Sequence, residues 1–408
     1  MTTTKTKSAK AAKRTSKVTS ITEIRAAAKA REERAHATTR LVTTLLLVVA
    51  TLVVIGLAET ISATSTVALS EDADRYYYLI RQLVGLGLGT VALVIASRVP
   101  YAWYKKLAGP VFILTVGMLI VVLGAGNTEG GATSWIDLGP VNFQPTELAK
   151  FSVIIALASV LERKHRMLAD FGHYLAPVAA YVGLVAFLVM LQEDLGGVII
   201  IGAIALGVLV ASTAPLRFIL GTGVAGIICA LIIARQSTER WSRITSFLDP
   251  TLDPLGDAFQ LVQGYVALGT GGVFGAGLGN SRARWFYLPN AHTDFIYAII
   301  GEETGLIGAI VVLALFALLG IIGFTIAYRT IDPFARMVVI GITVWISFQA
   351  MVNVGGVLGL MPITGVTLPF VSYGGTSLAI SMAMIGVLMN IAMSSARAPK
   401  KVKRGSRG

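Results

Sequence analysis

The sequence predicts an all-α integral membrane protein, a bundle of ten transmembrane helices with one large extracytoplasmic loop between helices 7 and 8. Of its 408 residues, 55% are hydrophobic and only 14% are charged. The mean hydropathy of +0.74 is a value that soluble domains rarely reach. In addition, apolar runs long enough to cross about 30 Å of hydrocarbon recur through most of the chain.

Ten apolar runs are predicted to span the membrane. They cover residues 41–61, 79–97, 107–125, 146–161, 174–192, 195–212, 216–234, 295–328, 333–359 and 376–395. The eighth run is unusually long, because as one α-helix it would extend about 50 Å. We predict a single long helix that is tilted or protrudes, with Gly301, Gly305 and Gly308 as points of bending or close packing.

Charge divides the chain into a membrane domain, residues 41–395, and two basic tails, residues 1–40 and 396–408. The tails account for the excess in the net charge of +12. Basic and acidic short loops alternate, so the positive-inside rule predicts that both termini are cytoplasmic and that the loop 236–293 is external. The localisation expected is the cytoplasmic (inner) membrane. Nucleic-acid binding is not favoured, because no aromatic residues interleave with the charges.

The segment 290–303 carries three carboxylates. Asp294 lies where the large loop enters the eighth span, and Glu302 and Glu303 follow about two turns deeper. A carboxylate at a membrane must be hydrated, paired or neutralised by a raised pKa, so this segment marks a functional site. A helix cap or first-turn acid is the alternative for Asp294. The two glutamates are predicted to be structural, hydrogen-bonded to other helices.

A second polar group precedes and begins the fourth span. Trp135 lies in the preceding loop, and the stretch 144–150 contains Glu147 and Lys150, which are three residues apart and share a helix face. One interpretation is a self-neutralising structural ion pair. The other is that the pair lines the same outer cavity as Asp294.

The large loop 236–293 carries three arginines, Arg243, Arg282 and Arg284. At an outer face, guanidinium groups suit an anionic phosphate, with a solvated loop face as the alternative. The glycine-rich run 269–279 does not have the register of a phosphate loop, so close backbone packing is favoured there.

The segment 368–376 joins the ninth and tenth spans and contains Ser372 and Tyr373 among Pro and Gly residues. It is predicted to be an irregular re-entrant turn, which is tolerated near membrane depth only where it lines a cavity or packs on protein. The distinctive polar clusters therefore all fall on the predicted outer face.

Several of these stretches together resemble the SEDS family (FtsW and RodA). They are residues 131–140, 144–150, 192–196, 287–295 and 369–375, in the order of the family, and the resemblance covers about residues 41–395. The stretches 243–250 and 279–287 are more similar to the division branch, FtsW, than to the elongation branch, RodA. The chain departs from the family at Asn290, where Glu or a similar residue is usual, and in its long basic N-terminal tail.

The resemblance implies a peptidoglycan glycosyltransferase that polymerises lipid II into a growing glycan strand at the outer membrane face, at the division septum. It implies as partners a class B penicillin-binding protein, the transpeptidase that crosslinks the strands, and other divisome proteins. Two other classes remain open, a lipid II flippase or transporter and a non-catalytic division scaffold. A flippase would need a polar path across the whole bilayer, and a scaffold would not need the acidic site.

The chemistry of chain growth assigns roles to the polar residues. A sugar hydroxyl is a weak nucleophile, so a carboxylate must accept its proton, and Asp294 is the candidate. The leaving diphosphate needs positive charge, supplied by arginine and lysine side chains or by a divalent cation, Mg²⁺ or Mn²⁺. His292 and Thr293 are expected to orient the loop. The predicted substrate-binding residues are Trp135, Glu147, Lys150, Arg243, Arg282, Arg284, His292, Thr293, Ser372 and Tyr373.

Overall fold

The computed structural model shows a helical bundle. It describes residues 3–70, 76–129, 132–137, 139, 142–251, 253–256, 258–285, 288–289 and 291–397. The helices are α1 (Thr3–Ser70), α2 (Tyr77–Arg98), α3 (Tyr101–Ala125), α4 (Pro145–Arg163), α5 (Phe171–Pro177), α6 (Leu184–Leu191), α7 (Leu195–Ala211), α8 (Leu216–Arg235), α9 (Thr238–Leu248), α10 (Phe259–Gly271), α11 (Ile296–Arg329), α12 (Pro333–Val357) and α13 (Gly375–Arg397). A π-helical turn, Val178–Gly183, joins α5 to α6.

Eight helical segments of the described chain are long and apolar enough to cross a membrane. They coincide with eight of the predicted runs, the fifth being formed by α5, the π-helical turn and α6 together. The other two predicted runs are also helical. One is α7, an apolar helix of 17 residues, and the other is α4, which carries charges near both ends.

The first span is continuous with the segment before it, because α1 is a single helix of 68 residues. The boundary predicted at residue 40 is therefore a change in composition and not in secondary structure. The C-terminal tail predicted for residues 396–408 lies almost wholly outside the described residues, and so does Asn290.

The predicted all-α fold is confirmed, and a small antiparallel sheet between α3 and α4 is an addition to it. Its strands are β1 (Asn127–Glu129), β2 (Ala132–Asp137) and β3 (Asn142–Phe143), in the order β1-β2-β3. Trp135 of β2 pairs with Asn127, and Ile136 pairs with Phe143. Threonine, tryptophan and isoleucine favour strands, but runs this short give too little alternation to be recognised in the sequence.

The helix α11 is one long element broken at Gly305, so the prediction of a long eighth helix with Gly305 among its bend points is confirmed. Gly305 has φ 70° and ψ −168°, a conformation open to glycine because it lacks a Cβ. Residues 306–329 then span about 36 Å, which matches one bilayer crossing. The break therefore resolves the excess length.

The glycine-rich run caps the two ends that the break creates. The N–H groups of Ala276 and Gly277 donate to the carbonyls of Glu302 and Glu303, at 2.9 and 3.0 Å. In return, Leu306 N–H donates to the carbonyl of Gly272 at 3.0 Å. A side chain on residue 275 would place its Cβ 2.2 Å from the Glu303 carbonyl oxygen. The predicted close backbone packing is confirmed.

The helices differ sharply in how much protein surrounds them. In α12, 72% of the apolar stretch is buried by the rest of the protein, whereas only 6% of the apolar stretch of α8 is buried. Of these eight helices, α8 therefore has the surface that is least covered by the rest of the protein.

Basic residues gather at one end of the bundle. The Lys105 ammonium, at the start of α3, lies 2.5 Å from the Glu162 carboxylate near the end of α4. Arg336, in the first turn of α12, donates to the carbonyl of Ala211 at the end of α7 at 3.4 Å. These contacts bring together residues predicted to face the cytoplasm.

Candidate functional site

A cavity of about 780 Å³ lies at the opposite end of the bundle. Its wall is built from the beginnings of α2 and α7, the ends of α8 and α12, helix α9, and the irregular segment 358–374 that joins α12 to α13. That segment has no regular secondary structure over most of its length and lines the cavity, as predicted for residues near 368–376.

The structure brings six of the predicted site residues to this cavity. They are Trp135, Arg243, His292, Thr293, Asp294 and Tyr373. The remaining predicted residues do not belong to the described part of the wall. They are Glu147, Lys150, Arg282, Arg284 and Ser372.

The Asp294 carboxylate is held in a setting that raises its pKa. Burial is the largest influence and brings the pKa to about 6, from an ordinary value of 3.8. Arg243 lowers the pKa, Asp194 raises it, and a hydrogen bond with the Thr293 side chain lowers it. The side chain does not cap α11, whose N-cap is Phe295 with no side-chain hydrogen bond. The helix-cap alternative is therefore not supported.

Asp194 connects Asp294 to the buried polar groups behind the cavity. Its Oδ1 accepts from the N–H of Gly197 at 2.6 Å and so caps α7. Burial raises the pKa of this carboxyl, and Glu147 raises it further, while the Gly197 N–H and Lys150 lower it. The preceding residue, Glu193, lines the cavity at φ 66° and lies 3.8 Å from Arg240.

Glu147 and Lys150 form a buried ion pair, each with 3% of its surface exposed. The Lys150 Nζ is 2.7 Å from Glu147 Oε1 and 2.9 Å from Gln349 Oε1, and it lies 5.3 Å from the centre of the Trp345 ring. With its charge neutralised and its donors used within the protein, the pair supports the wall from behind. This favours the structural interpretation over the cavity-lining one.

Arg282 and Arg284 lie on a separate part of the loop that is fixed to Glu302. The Glu302 carboxylate accepts from the Ser281 hydroxyl, from Arg282 N–H at 3.0 Å and from Ala283 N–H at 3.2 Å. The Arg284 guanidinium lies 3.4 Å from the Ser62 hydroxyl of α1. The prediction that the two glutamates bond to other helices is confirmed, since Glu302 also accepts from the Thr270 hydroxyl of α10 at 3.3 Å and Glu303 accepts from the Ser62 hydroxyl of α1.

Two buried amides on α12 were not identified from the sequence. Asn353 Nδ2 donates to the carbonyls of Asp294 and Val366, both at 2.8 Å, and thus ties the Asp294 backbone to the segment 358–374. Gln349 Nε2 donates to the Thr367 carbonyl at 2.9 Å. The available signal was two amides four residues apart in an apolar span, on one helix face.

Ser372 completes this attachment from the other side of the segment. Its hydroxyl donates to the Thr293 carbonyl at 2.5 Å and accepts from Leu368 N–H at 2.8 Å. Ser372 is 5% exposed. Its position therefore indicates that it holds the loop before α11 in place.

A divalent cation would find few protein ligands here. The described residues contain no group of three or more His, Cys, Asp or Glu side chains placed to hold a metal ion. Mg²⁺ is commonly bound by one or two carboxylates together with substrate phosphates. Asp294 with a bound diphosphate would fit that pattern.

A bundle of apolar helices around a cavity at one end is the architecture of a polytopic membrane protein. The family model FTSW_RODA_SPOVE, described as "Cell cycle protein", matches residues 42–397. The chain belongs to this family, which confirms the resemblance drawn from the motifs. A probable peptidoglycan glycosyltransferase FtsW of Geobacter sp. (strain M18) is 39% identical over 340 residues, covering 82% of this chain and 92% of that protein.

Other relatives and solved structures are similar to this chain over most of its length. Stage V sporulation protein E of Bacillus subtilis (strain 168) is 38% identical over 358 residues, covering 86% of this chain and 97% of the relative. A chain of a peptidoglycan synthase complex that coordinates polymerization and crosslinking has a TM-score of 0.71 at 29% identity, covering 87% of this chain and 98% of that one. Thermus thermophilus RodA has a TM-score of 0.64 at 29% identity, with coverages of 85% and 95%.

Proposed function

We propose that this protein is a peptidoglycan glycosyltransferase that polymerises lipid II into glycan strands for septal wall synthesis in cell division. The observation that carries the proposal is the cavity in which Asp294, with a pKa raised to about 6, lies within the electrostatic influence of Arg243. The names of the relatives support the same reaction.

The mechanism follows from this geometry. The hydroxyl of an acceptor sugar attacks the anomeric carbon of a donor sugar, and Asp294 accepts the hydroxyl proton. A carboxylate with a pKa near 6 is ionised at neutral pH and is more basic than an ordinary aspartate. The bond from the anomeric carbon to the diphosphate oxygen breaks, and the lipid diphosphate leaves with the electron pair.

The diphosphate leaves toward the cations of α9. Arg240 and Arg243 both line the cavity, and guanidinium groups suit phosphate oxygens. A Mg²⁺ or Mn²⁺ ion bound with the substrate would add positive charge at the same place. We assign no diphosphate contact to Arg282 or Arg284, because the structure holds them on the loop fixed to Glu302.

We further propose ten membrane crossings with both termini cytoplasmic and the loop 236–293 outside. This follows the expected division into residues 1–40, 41–395 and 396–408. Support comes from the separation of the basic end of the bundle from the cavity. The ion pair within α4 allows that helix to cross despite its charges. The reaction would then take place at the outer face of the cytoplasmic membrane.

We propose as partners a class B penicillin-binding protein and other divisome components. The similar peptidoglycan synthase complex, which coordinates polymerization and crosslinking, supports a transpeptidase partner. We propose that the protein acts at the division septum, and the FtsW names of its relatives support this.

The direct test uses purified protein and fluorescent lipid II, with and without a co-purified transpeptidase. Glycan polymer resolved on a gel is the expected result, and it should be absent with Asp294→Asn. In proteoliposomes, translocation of lipid II without polymer would indicate a flippase instead. If neither polymer nor translocation is observed, with or without the transpeptidase, a non-catalytic scaffold is the remaining function.

A further inference from the structure

The two ends of the cavity differ in chemistry. At one end, α8 contributes the apolar side chains Ile227 and Leu231, and α9 contributes Arg240 and Arg243. Because α8 is almost uncovered by protein, this end borders the surroundings of the bundle. An apolar wall beneath two cations suits a substrate with a lipid tail and a diphosphate.

The other end, next to α2, is lined by aromatic rings. Tyr78, His292 and Tyr373 come from three distant parts of the chain and meet at one place. The ring centres are 5.3 Å apart for Tyr78 and Tyr373, 5.9 Å for Tyr78 and His292, and 5.8 Å for His292 and Tyr373. All three line the cavity and are half-buried, so each ring keeps a surface toward the open space.

The backbone holds this aromatic cluster, defined as Tyr78, His292 and Tyr373, in a fixed place. The N–H of Tyr373 donates to the carbonyl of His292 at 3.0 Å. His292 is two residues before Asp294, so the cluster lies on one side of the carboxylate in the same loop. Fixed rings lose little conformational freedom when a ligand binds.

The cavity that holds the cluster also has polar groups that suit an uncharged ligand. Asn142, Gln144 and Trp135 line the same cavity and offer amide and indole hydrogen-bonding groups. The nearby Arg81 has its guanidinium 2.6 Å from the Gly139 carbonyl and 5.0 Å from the centre of the Tyr77 ring. A pyranose has flat C–H faces that pack on aromatic rings and hydroxyl edges that bond to amides.

We propose that the aromatic cluster is a saccharide subsite, which binds the sugars of the glycan on the side of Asp294 away from the diphosphate. This inference rests on the proposed function and adds the direction in which the substrate lies in the cavity. The lipid diphosphate occupies the end formed by α8 and α9. The sugars extend past Asp294 toward α2, so the reacting hydroxyl and the anomeric carbon meet at the carboxylate.

The test measures binding apart from turnover. The full-length protein is titrated with a lipid-free peptidoglycan tetrasaccharide, without lipid II, and separately with undecaprenyl diphosphate, which has no sugar. Tyr78→Leu should raise the Kd for the tetrasaccharide by about fivefold, since a lost aromatic contact amounts to roughly 1 kcal/mol. The Kd for undecaprenyl diphosphate should stay within about twofold.

Two matched variants control for folding and for ring chemistry. Tyr76→Leu changes an exposed tyrosine two residues away that does not line the described cavity, and its tetrasaccharide Kd should be unchanged. Tyr78→Phe keeps the ring and should bind the tetrasaccharide nearly as well as the parent. Thermal unfolding of each variant checks that the bundle is intact.

The outcomes separate this inference from the proposed function. Equal tetrasaccharide affinity in the parent and in folded Tyr78→Leu would overturn the subsite, and so would an equal loss of affinity for both ligands. If the parent polymerises lipid II but Tyr78→Leu shows no selective loss of tetrasaccharide affinity, the proposed function stands and the saccharide subsite is refuted. A parent that forms no polymer, even with its transpeptidase, would instead refute the function.

Discussion

Asp294 and Glu302 lie in the same short stretch of chain but have opposite surroundings. Asp294 faces a cavity, where burial raises its pKa to about 6. Glu302, about two turns further on, has its carboxylate surrounded by the Ser281 hydroxyl and two backbone N–H groups of the loop. The Asp294 carboxylate faces the cavity in which a substrate fits, whereas the Glu302 carboxylate is hydrogen-bonded to the loop and holds it in place.

The difference shows why an acidic residue at a membrane does not by itself identify a catalyst. A carboxylate whose oxygens already accept several hydrogen bonds within the protein has little capacity left to accept a proton from a substrate. A carboxylate with a raised pKa and access to a cavity retains that capacity. Replacing each acid by its amide should therefore have different consequences at the two positions.

Asp294→Asn should have the largest effect on activity. It removes the basicity that proton abstraction requires, so polymerisation of lipid II should fall by about 10² or more. Stability should not fall, and the unfolding temperature should rise slightly, because the cost of burying an ionised carboxylate is removed. Gel-based polymer assays and thermal unfolding in the same detergent measure both quantities. Near-normal polymerisation by the folded variant would exclude Asp294 as the base.

Glu302→Gln should act mainly on stability. The amide NH₂ group would face hydroxyl or N–H donors of residues 281–283, leaving donors opposed and unpaired. The expected loss is about 2 kcal/mol in the free energy of unfolding. Proteolysis of the loop and the unfolding temperature measure it. If the Glu302→Gln variant is as stable as the parent but no longer polymerises lipid II, Glu302 is not merely structural and the contrast with Asp294 is wrong.

The pH profile sharpens the assignment of the base. With a folded-state pKa of about 6, kcat/KM should fall about tenfold for each pH unit below 6 and level off above it. The free energy of unfolding changes with pH in the opposite direction to kcat/KM. The folded pKa exceeds the ordinary value of 3.8, so ionisation of Asp294 lowers stability as pH rises from about 4 to 6. A profile whose acidic limb lies near pH 4 would argue against a buried base.

Asn353→Leu tests whether the α12 amide positions Asp294. The change keeps approximate volume but leaves the Asp294 and Val366 carbonyls without their donor. We expect kcat to fall by roughly tenfold, because a catalytic group that is misplaced by a fraction of an ångström reacts more slowly. KM should change little, and the acidic limb of the pH profile should move. Met351→Leu, at an exposed position on the same helix, is the control.

The smallest effect is expected at Arg282. Arg243→Gln should lower kcat/KM by about tenfold, since a guanidinium that faces the diphosphate is removed. Arg282→Gln leaves the backbone N–H that bonds to Glu302 intact, so kcat/KM should stay within about twofold of the parent. Equal losses at both positions would show that the loop carrying Arg282 reaches the substrate during turnover.

Much of the architecture could be predicted from the sequence. All ten apolar runs are helical, and the irregular segment near 368–376 does line a cavity. These features depend on composition within a window of about 20 residues, and each residue contributes to them almost independently. The position of Asp294 at the entry to a helix is local in the same sense.

Only the tertiary structure decided which polar groups share a cavity. Tyr78 and Asn353 were overlooked, because their neighbours His292 and Asp294 lie 214 and 59 positions away in the chain. The sequence offered Gly301, Gly305 and Gly308 as bend points, and the glycine-rich run that caps the break shows why Gly305 is the one used. The sequence by itself determined where the ten apolar helices are and where acids lie along them, but not α9 and α10 within the large loop. Whether each acid faces a cavity or a ring of donors was decided by packing, since long-range contacts set a side chain's neighbours.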